Sequence, residues 1–112
     1  MWHGLADQLI YPRGTKEYYN KVQTLDPNLR QFYRYFEAPG VGHCRGGVGV
    51  APFAPLEAVI AWVERGEAPD TLLASSLDGS RARPLCPYPL VSAYRGGDVT
   101  KASSYACRAG FA

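Results

Sequence analysis

Apolar and polar positions along the chain predict a short strand followed by a helix near the amino terminus. Residues 2–5 (WHGL) have the character of a strand end that runs into a turn. After "LIYPRG", Thr15 is a suitable N-cap for a helix whose apolar side consists of Tyr18, Tyr19 and Val22. We expect this helix to end near "LDPN", because the residue before Pro27 is disfavoured in the helical conformation.

The middle of the chain predicts a second strand and a second helix. Residues 31–38 (QFYRYFEA) are dense in aromatics without an internal turn former, which indicates a strand buried on both faces, as in a parallel sheet. This strand leads into a glycine-rich loop, "APGVGHCRGGVGV", at residues 38–50. Pro55 to Arg65 is predicted as a helix with Gly66 as its cap, and one apolar stripe comprises Leu56, Val59, Ile60 and Val63.

The remaining residues predict little regular structure. "DTLLASSLDG" at residues 70–79 suggests a short edge strand, and from Arg81 onward Pro and Gly are frequent enough to predict an irregular wrapped tail. Strands that alternate with helices indicate an α/β fold with two to three strands of a mainly parallel sheet. Functional residues in such folds follow the carboxyl ends of strands. Asp7 and His43 both have that position, so we expect them on the same rim of the sheet.

Composition and charge exclude several classes of partner. The 112 residues suffice for one small domain with a modest core, and 12 basic and 10 acidic residues are spread without a run of like charges. Neither a nucleic acid nor a membrane surface is therefore expected as partner. No stretch approaches the roughly 18 apolar residues of a membrane span, and the first residues lack the zones of a signal peptide.

The adjacent His43 and Cys44 admit several kinds of chemistry. A metal site could combine them with His3 and Asp7, but no ligand spacing such as C-x₂-C or H-E-x-x-H occurs, so no metal is predicted. A phosphate cradle is disfavoured because no lysine follows the glycines as in a P-loop. The glycines are better explained by close passage of the backbone past neighbouring loops. We expect His3 to hydrogen-bond locally and Arg45 to face solvent.

Nucleophilic acyl transfer is the remaining possibility. An imidazole takes the proton of a weak hydroxyl nucleophile, and a carboxylate fixes its tautomer. An acid and then a histidine, each after a strand, match the second half of the Ser, Asp, His order of α/β-hydrolases. The sequence contains no G-x-S-x-G, and its Ser75–Ser76 and Ser103–Ser104 pairs lack a strand-turn-helix context. A hydrolase of this kind would take its serine from residues outside this chain.

Four segments resemble the carboxyl-terminal part of the tannase and feruloyl esterase family. They are "HGLADQLIYPRGT" (3–15), "APGVGHCRGGVG" (38–49), "LEAVIAWVERGEAPDTLLAS" (56–75) and "RPLCPYPLVSAYRGGDVTKASSYAC" (83–107). The resemblance implies a secreted α/β-hydrolase serine esterase that acts on esters of phenolic acids, with Asp7 orienting His43 as general base and acid. Residues 1–112 would then be the carboxyl-terminal portion of one catalytic domain. Its nucleophile, oxyanion donors and lid domain would lie elsewhere.

The resemblance also implies how the cysteines pair and what the chain binds. From the residues alone, Cys44, Cys86 and Cys107 leave one cysteine without a partner if two are bonded. The family pattern implies a Cys86–Cys107 disulfide and a bond from Cys44 to a cysteine outside this chain. Family members bind calcium in the lid domain, so no cofactor is implied here. The implied partners are a small phenolic ester and the remainder of the hydrolase domain.

Two further expectations do not depend on catalysis by this chain. Four aromatic side chains that could line a phenolic substrate pocket are expected in core and tail packing instead, namely Trp62, Tyr88, Tyr94 and Phe111. The missing serine motif also leaves an alternative function: a non-enzymatic binding or interaction domain derived from the hydrolase tail and inactive alone. A cooperative melt of the isolated chain would favour that alternative.

Overall fold

The polypeptide forms short strands and two helices, as a computed structural model of residues 1–110 describes it. The helices are α1 (Pro12–Leu25) and α2 (Pro55–Arg65). The strands are β1 (Trp2–Gly4), β2 (Phe36–Ala38), β3 (Ala51–Pro52), β4 (Leu72–Ser75), β5 (Ala82–Leu85), β6 (Leu90–Tyr94) and β7 (Tyr105–Ala109). Phe111 lies outside the described residues. The α/β content agrees with the prediction, and no helix in residues 1–110 is long and apolar enough to cross a bilayer.

The strands form three small sheets with mixed pairing, so the predicted parallel arrangement holds for β1 and β2 but not for the other strands. β1 and β2 are parallel, with Trp2 opposite Phe36 and Gly4 opposite Ala38. The other two sheets, β3-β4-β5 and β6-β7, are antiparallel. Short connections at residues 76–81 and 95–104 join β4 to β5 and β6 to β7 and permit antiparallel pairing, whereas a parallel pair needs a long crossover. β1 and β2, separated by α1, have such a crossover, while β3 and β4 are also separated by a helix, α2, but pair antiparallel.

The prediction of an irregular tail is also wrong, since residues 81–109 contribute three strands. Pro84 is tolerated in β5 because that strand lies at the edge of its sheet. Gly96 and Gly97 have positive φ and lie between β6 and β7, where they serve the connection rather than interrupt a strand. The strand predicted at residues 70–79 exists as β4, but it is central in its sheet rather than at the edge.

Helix α1 begins earlier than predicted. Pro12 takes the first helical position and Tyr11 precedes it without a side-chain cap, so the predicted N-cap role of Thr15 is wrong. Proline suits this position because its fixed φ is helical and its missing N–H needs no partner. The helix ends at Leu25, before Asp26 and Pro27, as predicted.

Helix α2 has the predicted bounds, and Gly66 caps it in the left-handed conformation with φ of 68°. The predicted stripe of large apolar residues nevertheless faces outward, and its Val63 is 80% exposed. The face that packs on the rest of the chain consists of smaller or partly buried residues: Ala58, Ala61 and Trp62.

Two clusters make up the core. One joins the sheets and consists of Phe36, Ala38, Val41, Val50, Leu72, Ala74 and Leu85. The other lies under α1 and consists of Tyr19, Leu29 and Tyr35, with Tyr88 edge-on to Tyr19 at 5.9 Å between ring centroids. Tyr94 packs on Tyr105, and the guanidinium of Arg34 lies over Trp62. These aromatics thus have packing contacts, as expected.

A disulfide joins Cys86, directly after β5, to Cys107 in β7. This is the pairing that the family resemblance implied. It ties the β6-β7 hairpin to the edge of the β3-β4-β5 sheet, and its sulfurs connect positions 21 residues apart.

Candidate active site

The site forms where the parallel strands β1 and β2 end side by side. The loop after β1 begins with Leu5, whose N–H donates to the carbonyl of Ala38 at 3.0 Å, and Ala6 N–H donates to the carbonyl of Val41 at 3.0 Å. Gly4 is buried at this junction, and a Cβ there would collide with the carbonyl oxygens of Val41 and Gly42. A glycine at the end of β1 therefore lets the two loops approach closely.

Asp7 lies in the first loop and is 4% exposed. Its Oδ1 accepts hydrogen bonds from the N–H groups of Leu9 and Ile10, both at 2.9 Å. Burial acts to raise the pKa of this carboxyl, but the hydrogen bonds from Ile10 and Leu9, then from His43 and His3, outweigh burial and hold the pKa well below its usual range. Asp7 is consequently a carboxylate at neutral pH.

His43 lies in the second loop and faces that carboxylate. Its Nδ1 is 3.1 Å from both Oδ1 and Oδ2 of Asp7. Because a carboxylate only accepts hydrogen bonds, Nδ1 carries the hydrogen. The backbone N–H of His43 donates to Oε1 of Gln8 at 3.3 Å, and the ring is 37% exposed. The second ring nitrogen, Nε2, has no protein partner within residues 1–110, so the neutral ring presents it as an open proton acceptor.

The glycines of the second loop allow it to fold back on itself, whereas the sequence led us to expect close passage past neighbouring loops. Gly42 N–H donates to the Gly46 carbonyl and Gly49 N–H to the Gly40 carbonyl, each at 3.0 Å. Gly40, Gly46 and Gly47 have positive φ, a conformation that costs glycine little. A Cβ on Gly47 would collide with the Gly40 carbonyl.

Cys44 is exposed, adjacent to His43, and free of any disulfide within residues 1–110. Its φ of 60° lies in the left-handed region, and no other non-glycine residue of the described chain has a positive φ. Such a conformation is uncommon for a residue with a Cβ. The thiol and the ring of His43 border the same cavity. Arg45 is exposed, as expected.

Three polar residues of the site were not recognised as such from the sequence. His3 is within 3.0 Å of Asp7 and Thr15 is within 2.8 Å of His3, while Gln8 binds the backbone of His43. His3 was expected to hydrogen-bond locally, and its contacts do lie within twelve residues. The available signal in the sequence was the spacing of four residues between His3 and Asp7. That spacing brings the two side chains into contact only because the chain turns after β1.

The cavity at the site has a volume of about 290 Å³ and is lined by Trp2, His3, Gly4, Asp7, Ile10, His43 and Cys44. A larger cavity of about 360 Å³ lies between β5, β6 and residues 48–50, and neither Asp7 nor His43 borders it. Among residues 1–110, no three His, Cys, Asp or Glu side chains are grouped so that they could hold a metal ion.

A buried carboxylate bound to Nδ1 of a rim histidine is an acid–base arrangement suited to proton transfer at Nε2. The model of one family, described as tannase and feruloyl esterase, matches residues 1–108. The chain belongs to this family.

Named relatives agree with that assignment. The chain is 44% identical to "Probable feruloyl esterase" of Arthroderma benhamiae over 120 residues, which cover 98% of this chain and 22% of the relative. It is 40% identical to "Mono(2-hydroxyethyl) terephthalate hydrolase" of Piscinibacter sakaiensis over 116 residues, or 97% of this chain and 19% of that protein.

Solved structures are similar over nearly the whole chain. The fold matches an esterase from Aspergillus oryzae with a TM-score of 0.86 at 31% identity, covering 96% of this chain and 26% of that one. It matches tannin acyl hydrolase from Aspergillus niger with a TM-score of 0.80 at 28% identity, covering 97% and 22%. The chain thus spans about a quarter or less of the length of these relatives.

Proposed function

We propose that this chain is the carboxyl-terminal portion of an α/β-hydrolase domain that hydrolyses esters of phenolic acids. Asp7 and His43 are its contribution to a Ser-His-Asp triad. The observation that carries the proposal is the contact of His43 Nδ1 with both oxygens of Asp7 at 3.1 Å. A protein that acts on such esters is named among the relatives, and secretion is part of the same proposal.

The proposed reaction uses the open nitrogen of His43. Nε2 takes the proton of a serine hydroxyl from the rest of the domain as the serine oxygen bonds to the ester carbonyl carbon. Asp7 stabilises the imidazolium, and Nε2–H then protonates the departing alkoxide as the ester bond breaks. Water repeats the sequence on the acyl-enzyme: His43 takes its proton, the acid is released, and the serine recovers its hydrogen.

Features outside the triad support the remainder of the domain as partner. Arg83 Nε and Ser92 Oγ are buried without a hydrogen-bond partner in residues 1–110, and both side chains border the 360 Å³ cavity. Buried polar atoms normally have partners. We propose that the partners come from the covering part of the domain, and that Cys44 forms its disulfide there.

The test is a hybrid esterase in which this chain replaces the matching segment of the Arthroderma benhamiae relative. We expect the hybrid to hydrolyse methyl ferulate. His43→Ala and Asp7→Asn should each lower kcat by about 10⁴-fold, because each removes the base or its correct tautomer.

Asp98→Asn is the matched control. Asp98 is an exposed carboxylate that also accepts a backbone hydrogen bond, from Thr100 at 2.9 Å, and it lies outside the site. Its variant should retain full activity. Near-normal hydrolysis of methyl ferulate by His43→Ala would contradict the proposed triad, as would an inactive but folded unmodified hybrid.

A further inference from the structure

The carboxylate of Asp7 binds two imidazoles, of which the triad uses one. His3 Nε2 is 3.0 Å from Asp7 Oδ2, on the side of the carboxylate away from the Leu9 and Ile10 amides. The His3 side chain is 11% exposed, whereas His43 is 37% exposed. The two rings are therefore placed differently: His3 lies inside the site, and His43 lies at its rim.

The partners of His3 define where its hydrogen lies. Nε2 faces Asp7 Oδ2 and the carbonyl oxygen of Ile10 at 3.1 Å, and both atoms only accept hydrogen bonds. Nε2 therefore carries a hydrogen. Nδ1 is 2.8 Å from the hydroxyl of Thr15, which is able to donate. A neutral ring with its hydrogen on Nε2 satisfies all three contacts.

The two oxygens of Asp7 are held by different groups. Oδ1 accepts two backbone N–H groups from the loop itself. Apart from the ring of His43, the hydrogen-bond donor to Oδ2 within residues 1–110 is His3. Rotation of the carboxylate about its Cβ–Cγ bond is thus resisted at Oδ2 by His3. His3 lies in β1 and Thr15 in the first turn of α1, so regular elements support this contact.

We propose that His3 is a positioning residue for the acid–base pair. Fixed by Thr15, it holds Asp7 Oδ2 so that the carboxylate plane stays directed at His43 Nδ1. His43 remains the base that exchanges protons at Nε2. This inference rests on the proposed function of Asp7 and His43, and it adds a residue that acts on the reaction only through Asp7.

The test compares two amides at position 3 in the hybrid esterase. His3→Gln places an N–H donor where Nε2 was, and His3→Asn is equally polar but one methylene too short to reach Asp7. We expect His3→Gln to retain kcat within about threefold. His3→Asn and His3→Leu should lose about tenfold to a hundredfold in kcat at unchanged KM, less than the roughly 10⁴-fold cost of a wrong tautomer.

Thr15→Val provides a second variant if changes at position 3 impair folding. It leaves the ring of His3 in place and removes the hydroxyl that fixes it, so kcat should fall by a smaller factor, with KM unchanged. Thr24→Val is the matched control on the same helix, since within residues 1–110 the exposed Thr24 hydroxyl bonds only the carbonyl of Asn20, at 2.9 Å. This control should have the kcat of the unmodified hybrid.

The outcomes separate the two proposals. If His43→Ala abolishes activity while His3→Gln and His3→Asn have equal kcat, or if the loss appears in KM instead, the positioning role is overturned and the triad stands. If His43→Ala stays active, the triad fails, whatever the variants of His3 do. A loss of kcat in His3→Asn together with a retained kcat in His3→Gln supports the positioning role. A purely structural defect would not depend on whether the amide side chain is one methylene longer.

Discussion

Single glycines decide whether the loop that carries His43 can close. Gly49 lies against the chain segment that enters the loop, and a Cβ at this position would collide with the carbonyl oxygen of Pro39. The clash is with backbone, which cannot move aside as a flexible side chain would. The loop geometry that places His43 against Asp7 therefore requires the absence of a side chain at position 49.

Gly49→Ala should destabilise the hybrid esterase by about 1 to 3 kcal/mol, because the backbone must shift to relieve the overlap. Gly14→Ala is the matched control: it lies inside α1, and a Cβ there would have no heavy atom within 4 Å, so it should stabilise by about 0.5 to 1 kcal/mol. Thermal unfolding measures both. A Gly49→Ala hybrid that melts at or above the unmodified temperature would contradict the expected clash.

At the residue scale, the pairing of Asp7 with His43 could be predicted from order along the chain. Each follows a strand, and neighbouring parallel strands bring their carboxyl ends together. The contacts of His3, Gln8 and Thr15 could not be predicted in the same way. They depend on the path of residues 5–11, which no strand or helix pattern describes.

At the scale of elements, strand pairing orders the segment from Arg81 onward, which its composition did not predict. Prolines and glycines in residues 81–110 suggested irregular structure, yet β6 and β7 pair over five residues and β5 pairs with β4 over four. Proline excludes only those strand positions whose N–H must bond, and glycine is compatible with turns between strands. Composition alone therefore underestimates antiparallel hairpins.

The Cys86–Cys107 disulfide should stabilise this part of the chain. Closing a loop of 21 residues constrains the unfolded chain by about 3 kcal/mol at 25 °C. In the hybrid, Cys86→Ala with Cys107→Ala should raise amide hydrogen exchange in β6 and β7, because local opening of the hairpin becomes easier. Exchange in α1, which lies outside the loop that the disulfide closes, serves as the internal reference. Equal protection of β6 and β7 with and without the bond would show that the hairpin holds without it.

At the scale of the whole molecule, the chain leaves a large apolar surface uncovered. The outward stripe of α2 consists of Leu56, Val59, Ile60 and Val63, with Phe53 exposed just before the helix. Contiguous apolar patches on a protein surface commonly mark interfaces. Together with the unpartnered Arg83 and Ser92 atoms, this surface is consistent with the proposal that the rest of a hydrolase domain covers the chain.

We expect the isolated 112-residue chain to self-associate and to lack a sharp melt. Covering one valine side chain stabilises by roughly 1.5 to 3 kcal/mol, so Val59→Asp with Val63→Asp should shift the isolated chain toward monomer in sedimentation. The same pair should lower the melting temperature of the hybrid, where the stripe is expected to be covered. Asn20→Asp with Thr24→Asp, which adds the same two charges at exposed positions of α1, controls for charge alone.

A monomeric isolated chain with a cooperative melt would contradict this expectation. It would favour the alternative function, a self-sufficient binding domain that shares the hydrolase sequence without its reaction. The state of the isolated chain therefore tests the organisation of the molecule, and the hybrid tests its chemistry.

The sequence by itself determined the features that depend on local pattern. Helix α2 with its Gly66 cap, the end of α1 before Pro27, the carboxyl ends of β1 and β2 and the order of Asp7 and His43 follow from local pattern and from backbone preferences of proline and glycine, although β2 begins only at Phe36. Only the tertiary structure decided which strands pair, which face of α2 is covered and which donors hold Asp7. Those features join residues far apart in the chain or across irregular loops, where packing and hydrogen-bond satisfaction, rather than local propensity, select the arrangement.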